Sequence, residues 1–189
     1  MRNRAMTMVE VLSVTAILAL LSALMYPVIR GQIGRAKVAQ CVSKLRQVHT
    51  AIMLYRENQS ETVPYGYSDE MGLPPQAMYT LVQGGYLTRE DVTCSLGFYP
   101  GPGKPGVFHV FWSPRELGSA AQQWLRYVQS RKEKAVLVTD MNHDPASSIM
   151  SSYEEHLGIG VYLDGHVSVY RKTGLMYHPS WWDDLGGDE

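Results

Sequence analysis

The sequence predicts an α+β fold in which a long N-terminal helix is joined to a small mixed head. An uncharged, apolar run of nineteen residues occupies positions 11–29. Apolar side chains then recur at three- and four-residue spacing over 38–55, which is typical of a helix with one buried face. Short apolar segments separated by Pro and Gly fill 59–189, and they predict a head of mixed helices and strands.

The apolar run 11–29 is long enough to cross a membrane, because it would form about 28 Å of helix. We therefore predict a membrane-spanning part over about 8–29. Glu10 stands at its start, where a carboxylate that reaches membrane depth costs roughly 2–3 kcal/mol and usually has a partner. This position indicates that Glu10 does more than begin an anchor.

The helix is predicted over 6–58, with an amphipathic stem at about 35–58. Pro27, Gly31 and Gly34 are poor helix formers, so we expect the helix to bend or melt between its two parts. The stripe of the stem that should face the head consists of Val38, Cys41, Val42, Leu45, Val48, Ile52 and Tyr55.

Local patterns predict the elements of the head at 59–189. The strongest is a hairpin, with strands at 161–163 and 166–170 around a two-residue turn of Asp164 and Gly165. A tail with Trp181 and Trp182 has no readable role. The other predicted elements are a short helix at 76–83, a strand at 107–112, a helix at 113–130 with Leu117, Ala121, Trp124 and Val128 on its apolar face, and a strand at 135–139 ending at Asp140.

Charge is distributed unevenly along the chain. Residues 1–58 carry eight Lys and Arg against two acids, whereas 59–189 carry nine against sixteen. A basic stem favours anionic headgroups at a membrane, and an acidic head argues against nucleic acid as a partner.

The first ten residues carry a family pattern. Arg2 and Arg4 form a short basic leader, and Ala5 stands where the family usually has Gly. Met6, Thr7, Met8, Val9 and Glu10 follow in register, and Pro27 lies late in the apolar run. Here the sequence resembles type IV prepilins and the pseudopilins of type II secretion.

This resemblance implies processing and assembly. Prepilin peptidase would cut between Ala5 and Met6, removing the leader 1–5, and Met6 would then be N-methylated. Glu10 would meet the positive N-terminus of a neighbouring subunit. The implied protein is a non-enzymatic filament subunit of the bacterial inner membrane, with a periplasmic or extracellular head. Its implied partners are like subunits, an assembly platform and its ATPase, and membrane lipid.

A second resemblance lies further along the chain. Cys41, Leu45 and Gln47 follow a Cys-x-x-x-Leu-x-Gln pattern, and residues 164–167 read Asp-Gly-His-Val. These residues are similar to a prepilin-like group with a C-terminal signature of His, a nine-residue spacer and Asp-Gly. Here seven residues separate His156 from Asp164.

Several alternatives stay open. An ordinary signal peptide would be cut near Ser22 and Ala23, and a generic single-pass anchor would also fit the apolar run. The alternative function is a membrane-tethered binding module or metal-dependent hydrolase. Neither a phosphate-binding Gly loop nor a Gly-x-Ser-x-Gly motif occurs, and no catalytic residue is predicted.

Two residue sets carry further hypotheses. Cys41 and Cys94 would pair as a disulfide in an oxidising compartment, although Cys41 could equally be a small buried residue of the stripe. We predict no metal cofactor, because the spacing of the acids and histidines in 140–166 matches no zinc motif. Asp140, Asp144 and His156 are the residues that would hold a metal, with Ca²⁺ at Asp140 and Asp144 as a separate hypothesis. The remaining members of that set are His143, Asp164 and His166.

Overall fold

The structure, a computed structural model, describes residues 8–94, 106–113, 115–143 and 151–183, without the side chains of 26–31. The chain divides into two compact units, Met1–Ala39 and Gln40–Glu189. We call the second the C-terminal unit. It contains the head and also the stem from Gln40 onward. The structure combines helices with antiparallel sheets, which confirms the α+β prediction at that level.

Helix α1 covers Met8–Glu57. Its assignment is continuous through Pro27, Gly31 and Gly34, so the expectation that the helix melts there is wrong. A proline removes one hydrogen bond of the helix, and each glycine costs only about 1 kcal/mol, which good helix formers on both sides can offset. Within α1, the apolar segment Met8–Met25 has a mean hydropathy of 2.2 and none of it is buried. By length and composition it could cross a membrane, although a signal sequence would meet the same criteria.

The last third of α1, residues 40–57, packs into the C-terminal unit as the stripe predicts. Cys41, Leu45, Val48 and Ile52 are buried, and Ala51 joins them. The stripe members Val38, Val42 and Tyr55 are half-buried.

Two further helices follow in the head. Helix α2 is Met78–Gln83, ended by Gly84 as predicted. Helix α3 is Ser119–Arg131, and only a short 3-10 turn, Arg115–Leu117, precedes it. The predicted helix at 113–130 therefore begins too early, because Gly118 has a φ of 51° that interrupts helical geometry. Leu117 was placed on the buried face but is 60% exposed.

The strands form two antiparallel sheets. Strand β1, Thr93–Cys94, pairs with β2, Gly106–Val107. Strands β3, His109–Val110, β4, Val136–Asp140, β5, Glu155–Tyr162, and β6, Val167–Thr173, form a sheet in the order β3-β4-β5-β6.

The strand predicted at 107–112 is divided between these two sheets. Phe108 lies between β2 and β3, is 4% exposed, and donates its backbone N–H to the carbonyl of Val92 at 3.2 Å. The segment thus changes partner at Phe108, and local pattern carries no signal of such a change.

The β5–β6 hairpin is longer than predicted, and its connection is residues 163–166 rather than two turn residues. The N–H of Gly165 donates to the carbonyl of Tyr162, and Gly165 has a φ of 87°. Asp164 Oδ1 accepts from the backbone N–H of His166 at 3.0 Å. Gly165 is therefore the left-handed residue of a longer turn, which an Asp-Gly pair also suits.

Candidate functional site

A buried cluster of four polar side chains lies in the C-terminal unit. Cys41 comes from α1, Cys94 from the end of β1, Asp140 from the end of β4, and His143 from the turn after β4. Their ligand atoms all lie within 4.8 Å of one another. We call this set the Cys-Asp-His cluster.

Burial of the cluster is nearly complete. Cys41 is 1% exposed, and Cys94 and Asp140 are 0% exposed. The side chain of His143 is 1% exposed. Solvent therefore does not compensate the polar atoms, and they must stabilise one another or bind something else.

Short distances link the four side chains. The sulfur atoms of Cys41 and Cys94 are 2.6 Å apart. His143 Nε2 lies 3.0 Å from Asp140 Oδ2 and 3.9 Å from the sulfur of Cys94. The disulfide predicted from the sequence stays a prediction, but its two residues do lie next to each other.

Neighbouring residues fix the orientation of the Asp140 carboxylate. Its Oδ1 accepts from the backbone N–H of Asn142 at 3.0 Å and from the Nδ2 of Asn142 at 2.8 Å. Gly106 pairs with Cys94, and a Cβ at Gly106 would lie only 1.8 Å from Asn142 Oδ1. The lack of a side chain at Gly106 therefore makes room for Asn142, which leaves Asp140 Oδ2 directed at His143.

The acid and the imidazole change each other's proton affinity. Burial lowers the pKa of His143, but hydrogen bonds to Asp140 and Cys94 and the charges of these groups raise it, to about 9. Burial raises the pKa of Asp140, but the hydrogen bonds from His143 and Asn142 and the charge of His143 bring it below its usual value. Each of the two side chains therefore favours the charged form of the other.

The other predicted metal residues do not join this cluster. His156 is buried, and its Nε2 contacts the carbonyl oxygen of Ser151 at 2.7 Å. His166 Nδ1 lies 2.5 Å from Asp164 Oδ1 at the partly exposed β5–β6 turn. Asp144 lies outside the described residues. Two of the three residues proposed to hold a metal, Asp140 and His156, lie in the described part of the chain, and of these two only Asp140 belongs to the Cys-Asp-His cluster.

The predicted assembly residues belong to the other unit. Glu10 is exposed in the first turn of α1. The backbone of Pro27 is helical, while Ala5 and Met6 lie outside the described residues.

Sequence reasoning named all four members of the Cys-Asp-His cluster but divided them between two hypotheses. The cysteines were considered as a disulfide, and Asp140 and His143 were grouped with more distant histidines. The available signal was composition: two Cys, a strand ending in Asp and a His three residues later supply four metal ligands of three types.

Comparisons with known proteins add nothing to these observations. Scans against models of protein families, and searches of curated proteins and of solved structures, return no significant match to this chain.

The site can act in two chemical ways. Two adjacent thiols can be oxidised to a disulfide, or two thiolates, an imidazole and a carboxylate can coordinate one metal ion. Near-complete burial of the four side chains is typical of structural sites of either kind.

Proposed function

We propose that this chain is a structural subunit of a type IV pilus-like or type II secretion-like filament. The observation that carries the proposal is the coincidence of two features at the N-terminus. The prepilin-type pattern at 5–10 runs directly into an α1 whose apolar segment, Met8–Met25, has no buried side chain.

Exposure of the apolar segment requires a covering environment. Leu20 is 67% exposed and Leu24 is 72% exposed, and apolar area left in water costs about 25 cal/mol for each Å². Lipid can cover this surface in the unassembled subunit, and helices of neighbouring subunits can cover it in a filament. The same surface serves both states.

The C-terminal unit supports the proposal at a coarser level. The last third of α1 shares this unit with a four-stranded antiparallel sheet, which accords with a pilin-like head built on its own stem. We infer that prepilin peptidase, like subunits, an assembly platform with its ATPase and membrane lipid are the partners. The head would then lie outside the cytoplasm.

Glu10 provides the decisive experiment. In a filament, its carboxylate neutralises the methylated amine of Met6 on an adjacent subunit, and removing one partner of such a buried pair costs about 3–5 kcal/mol. Glu10→Leu should leave expression, membrane insertion and folding of the C-terminal unit unchanged, because the unassembled subunit does not use this contact. Incorporation into filaments should be lost, and Glu10→Asp should be intermediate.

The measurement compares the sheared surface fraction with the membrane fraction by immunoblot, in the native cells without the wild-type copy. Thr15→Leu is the matched control, because it makes the same apolar segment more apolar and removes no charge. If Glu10→Leu reaches the sheared fraction at the wild-type level, the filament proposal fails. A tethered module would then be the better assignment.

A further inference from the structure

We propose that Cys41, Cys94, Asp140 and His143 bind one Zn²⁺ ion inside the C-terminal unit. The inference does not depend on filament assembly. It rests on the donor set, the burial and the supporting hydrogen bonds of the Cys-Asp-His cluster.

The donor set suits zinc. Structural zinc sites take four ligands, drawn from cysteine sulfur, histidine nitrogen and carboxylate oxygen. Soft thiolates together with imidazole favour Zn²⁺ over Ca²⁺ and Mg²⁺, which prefer oxygen ligands. This composition also argues against the Ca²⁺ hypothesis for Asp140, which lies beside His143 and within 4.8 Å of both sulfur atoms.

Charge supplies a second argument. A buried carboxylate and imidazole are expensive to desolvate, and replacing such a pair by apolar residues is often neutral or stabilising. A disulfide between Cys41 and Cys94 would be uncharged and would require neither Asp140 nor His143. A divalent cation uses all four side chains, because two thiolates and a carboxylate would compensate its charge.

The orientation of the Asp140 carboxylate is already supported. Asn142 holds Asp140 by two hydrogen bonds, as outer partners of metal ligands commonly do. Lys44 donates to the carbonyl of Thr93 at 2.9 Å, which places a cation beside the residue preceding Cys94. Among the described residues, His143 Nδ1 has no hydrogen-bond partner, so the groups of the cluster itself orient this imidazole.

Metal binding and disulfide formation exclude each other. In a tetrahedral zinc site, two bound thiolates stand about 3.8 Å apart, so the sulfur atoms, now 2.6 Å apart, would have to separate by about 1 Å. Neither sulfur can coordinate strongly once it is bonded to the other. The state of the two cysteines therefore decides whether the site can be filled.

The first test uses the full-length wild-type chain in detergent, purified with reductant and excess Zn²⁺ and then separated from unbound metal. We expect about one zinc per chain by elemental analysis. Both thiols should be protected from a thiol reagent until a chelator is added. Replacement by Co²⁺ should give the visible absorption of a tetrahedral ion and thiolate-to-metal charge-transfer bands.

Variants then assign the ligands. Cys41→Ser and His143→Gln should each weaken zinc binding by at least about 100-fold, which exceeds the usual effect of losing an outer hydrogen-bond partner. His166→Gln is the matched control, because it removes an imidazole that is also paired with an aspartate but lies at a partly exposed turn. It should bind zinc as the wild type does.

Three results would overturn the proposal. The first is a reduced wild-type chain with two titratable thiols that retains no zinc and gives no tetrahedral Co²⁺ spectrum. The second is unchanged zinc affinity in a folded Cys41→Ser variant. The third is a chain that is isolated without reactive thiols and, after reduction, fails to bind zinc, which would assign both cysteines to a disulfide alone.

Discussion

At the scale of single residues, two aspartate–histidine pairs in the described part of the chain differ mainly in burial. His143 and Asp140 lie 3.0 Å apart with side chains 1% and 0% exposed. His166 and Asp164 lie 2.5 Å apart with side chains 42% and 39% exposed. Water screens the second pair and satisfies its remaining polar atoms, whereas the first depends on its protein neighbours. Burial, rather than residue type, therefore distinguishes the candidate site from a surface turn.

A pH effect is expected from His109. Its ring packs edge-on against Phe111 and Tyr177, with centroids at 5.2 and 5.7 Å, and burial lowers its pKa. Because the pKa of His109 is lower in the folded state than its unfolded value of about 6.5, the contribution of His109 to the free energy of unfolding is fully present above about pH 6.5. This contribution should fall as the pH drops below about 6.5, with a slope of at most about 1.4 kcal/mol per pH unit.

Denaturant unfolding of the wild type and of His109→Gln between pH 5 and 8 would measure this effect. As the pH drops below about 6.5, the free energy of unfolding of the wild type should fall relative to that of His109→Gln. His178→Gln is the control, because His178 is exposed and caps the turn at Ser180. An NMR titration in which the pKa of His109 lies at or above its ordinary value of about 6.5 would contradict the prediction.

At the scale of elements, the segment 174–183 completes the core beside strand β5. It contains a 3-10 turn, Pro179–Trp182, and both tryptophans of this turn are buried. A Cβ at Gly158 of β5 would lie 2.5 Å from the ring of Trp182, so the absence of a side chain admits the indole. Trp182 Nε1 also donates to the carbonyl of Met176 at 2.7 Å. The tail that the sequence left without a role is therefore part of the fold.

Removing the Trp182 indole should destabilise the C-terminal unit. Trp182→Ala should lower the free energy of unfolding by about 3–5 kcal/mol, because it leaves a cavity against β5. Trp182→Phe should cost less, since it keeps an aromatic ring but loses the Nε1 hydrogen bond. Denaturant unfolding in detergent, followed by tryptophan fluorescence and circular dichroism, would measure these changes.

Leu175→Ala tests the same segment at a side chain that is 47% exposed, and it should have a much smaller effect. A Trp182→Ala variant as stable as Leu175→Ala would show that the packing of segment 174–183 on the sheet contributes little to the free energy of unfolding.

At the scale of the whole molecule, the chain combines two units with different requirements. Met1–Ala39 contains the exposed apolar segment and needs lipid or other helices. Gln40–Glu189 has its own core, with residues from α1, α3 and the sheet that are fully buried. This division is consistent with a subunit that is held through one part while the other folds in water.

Processing follows from the proposed function. The mature protein should begin at Met6 and carry one added methyl group, because residues 5–10 match the prepilin pattern when Ala5 is allowed in place of the usual Gly. Intact mass spectrometry of the membrane-extracted protein would show this start.

Ala5→Leu should leave the five-residue leader in place, since the family uses a small residue before the cut, while Ala5→Gly should still be processed. A mature start after Leu20 would instead identify an ordinary signal peptide.

The sequence by itself determined the elements whose signals are local. The charge-free run at 11–29 and the stripe from Cys41 to Ile52 each lie within one segment, so periodicity was sufficient. The Asp-Gly pair located the hairpin, but it did not predict the length of its connection, residues 163–166. The positions at which neighbouring elements begin were less certain, as Gly118 and Phe108 show. There, backbone conformation and strand partners override the local apolar pattern.

Only the tertiary structure decided which of these elements meet. Cys41 and Cys94 are 53 positions apart, and only folding brings the ligand atoms of Asp140 and His143 to within 4.8 Å of theirs. The packing of Trp182 over Gly158 is likewise a contact between separate elements. The spacing of apolar residues along a helix or strand indicates which face is buried, but it does not indicate which other element covers that face. For this reason the sequence contained every residue of the candidate zinc site without showing that they form one.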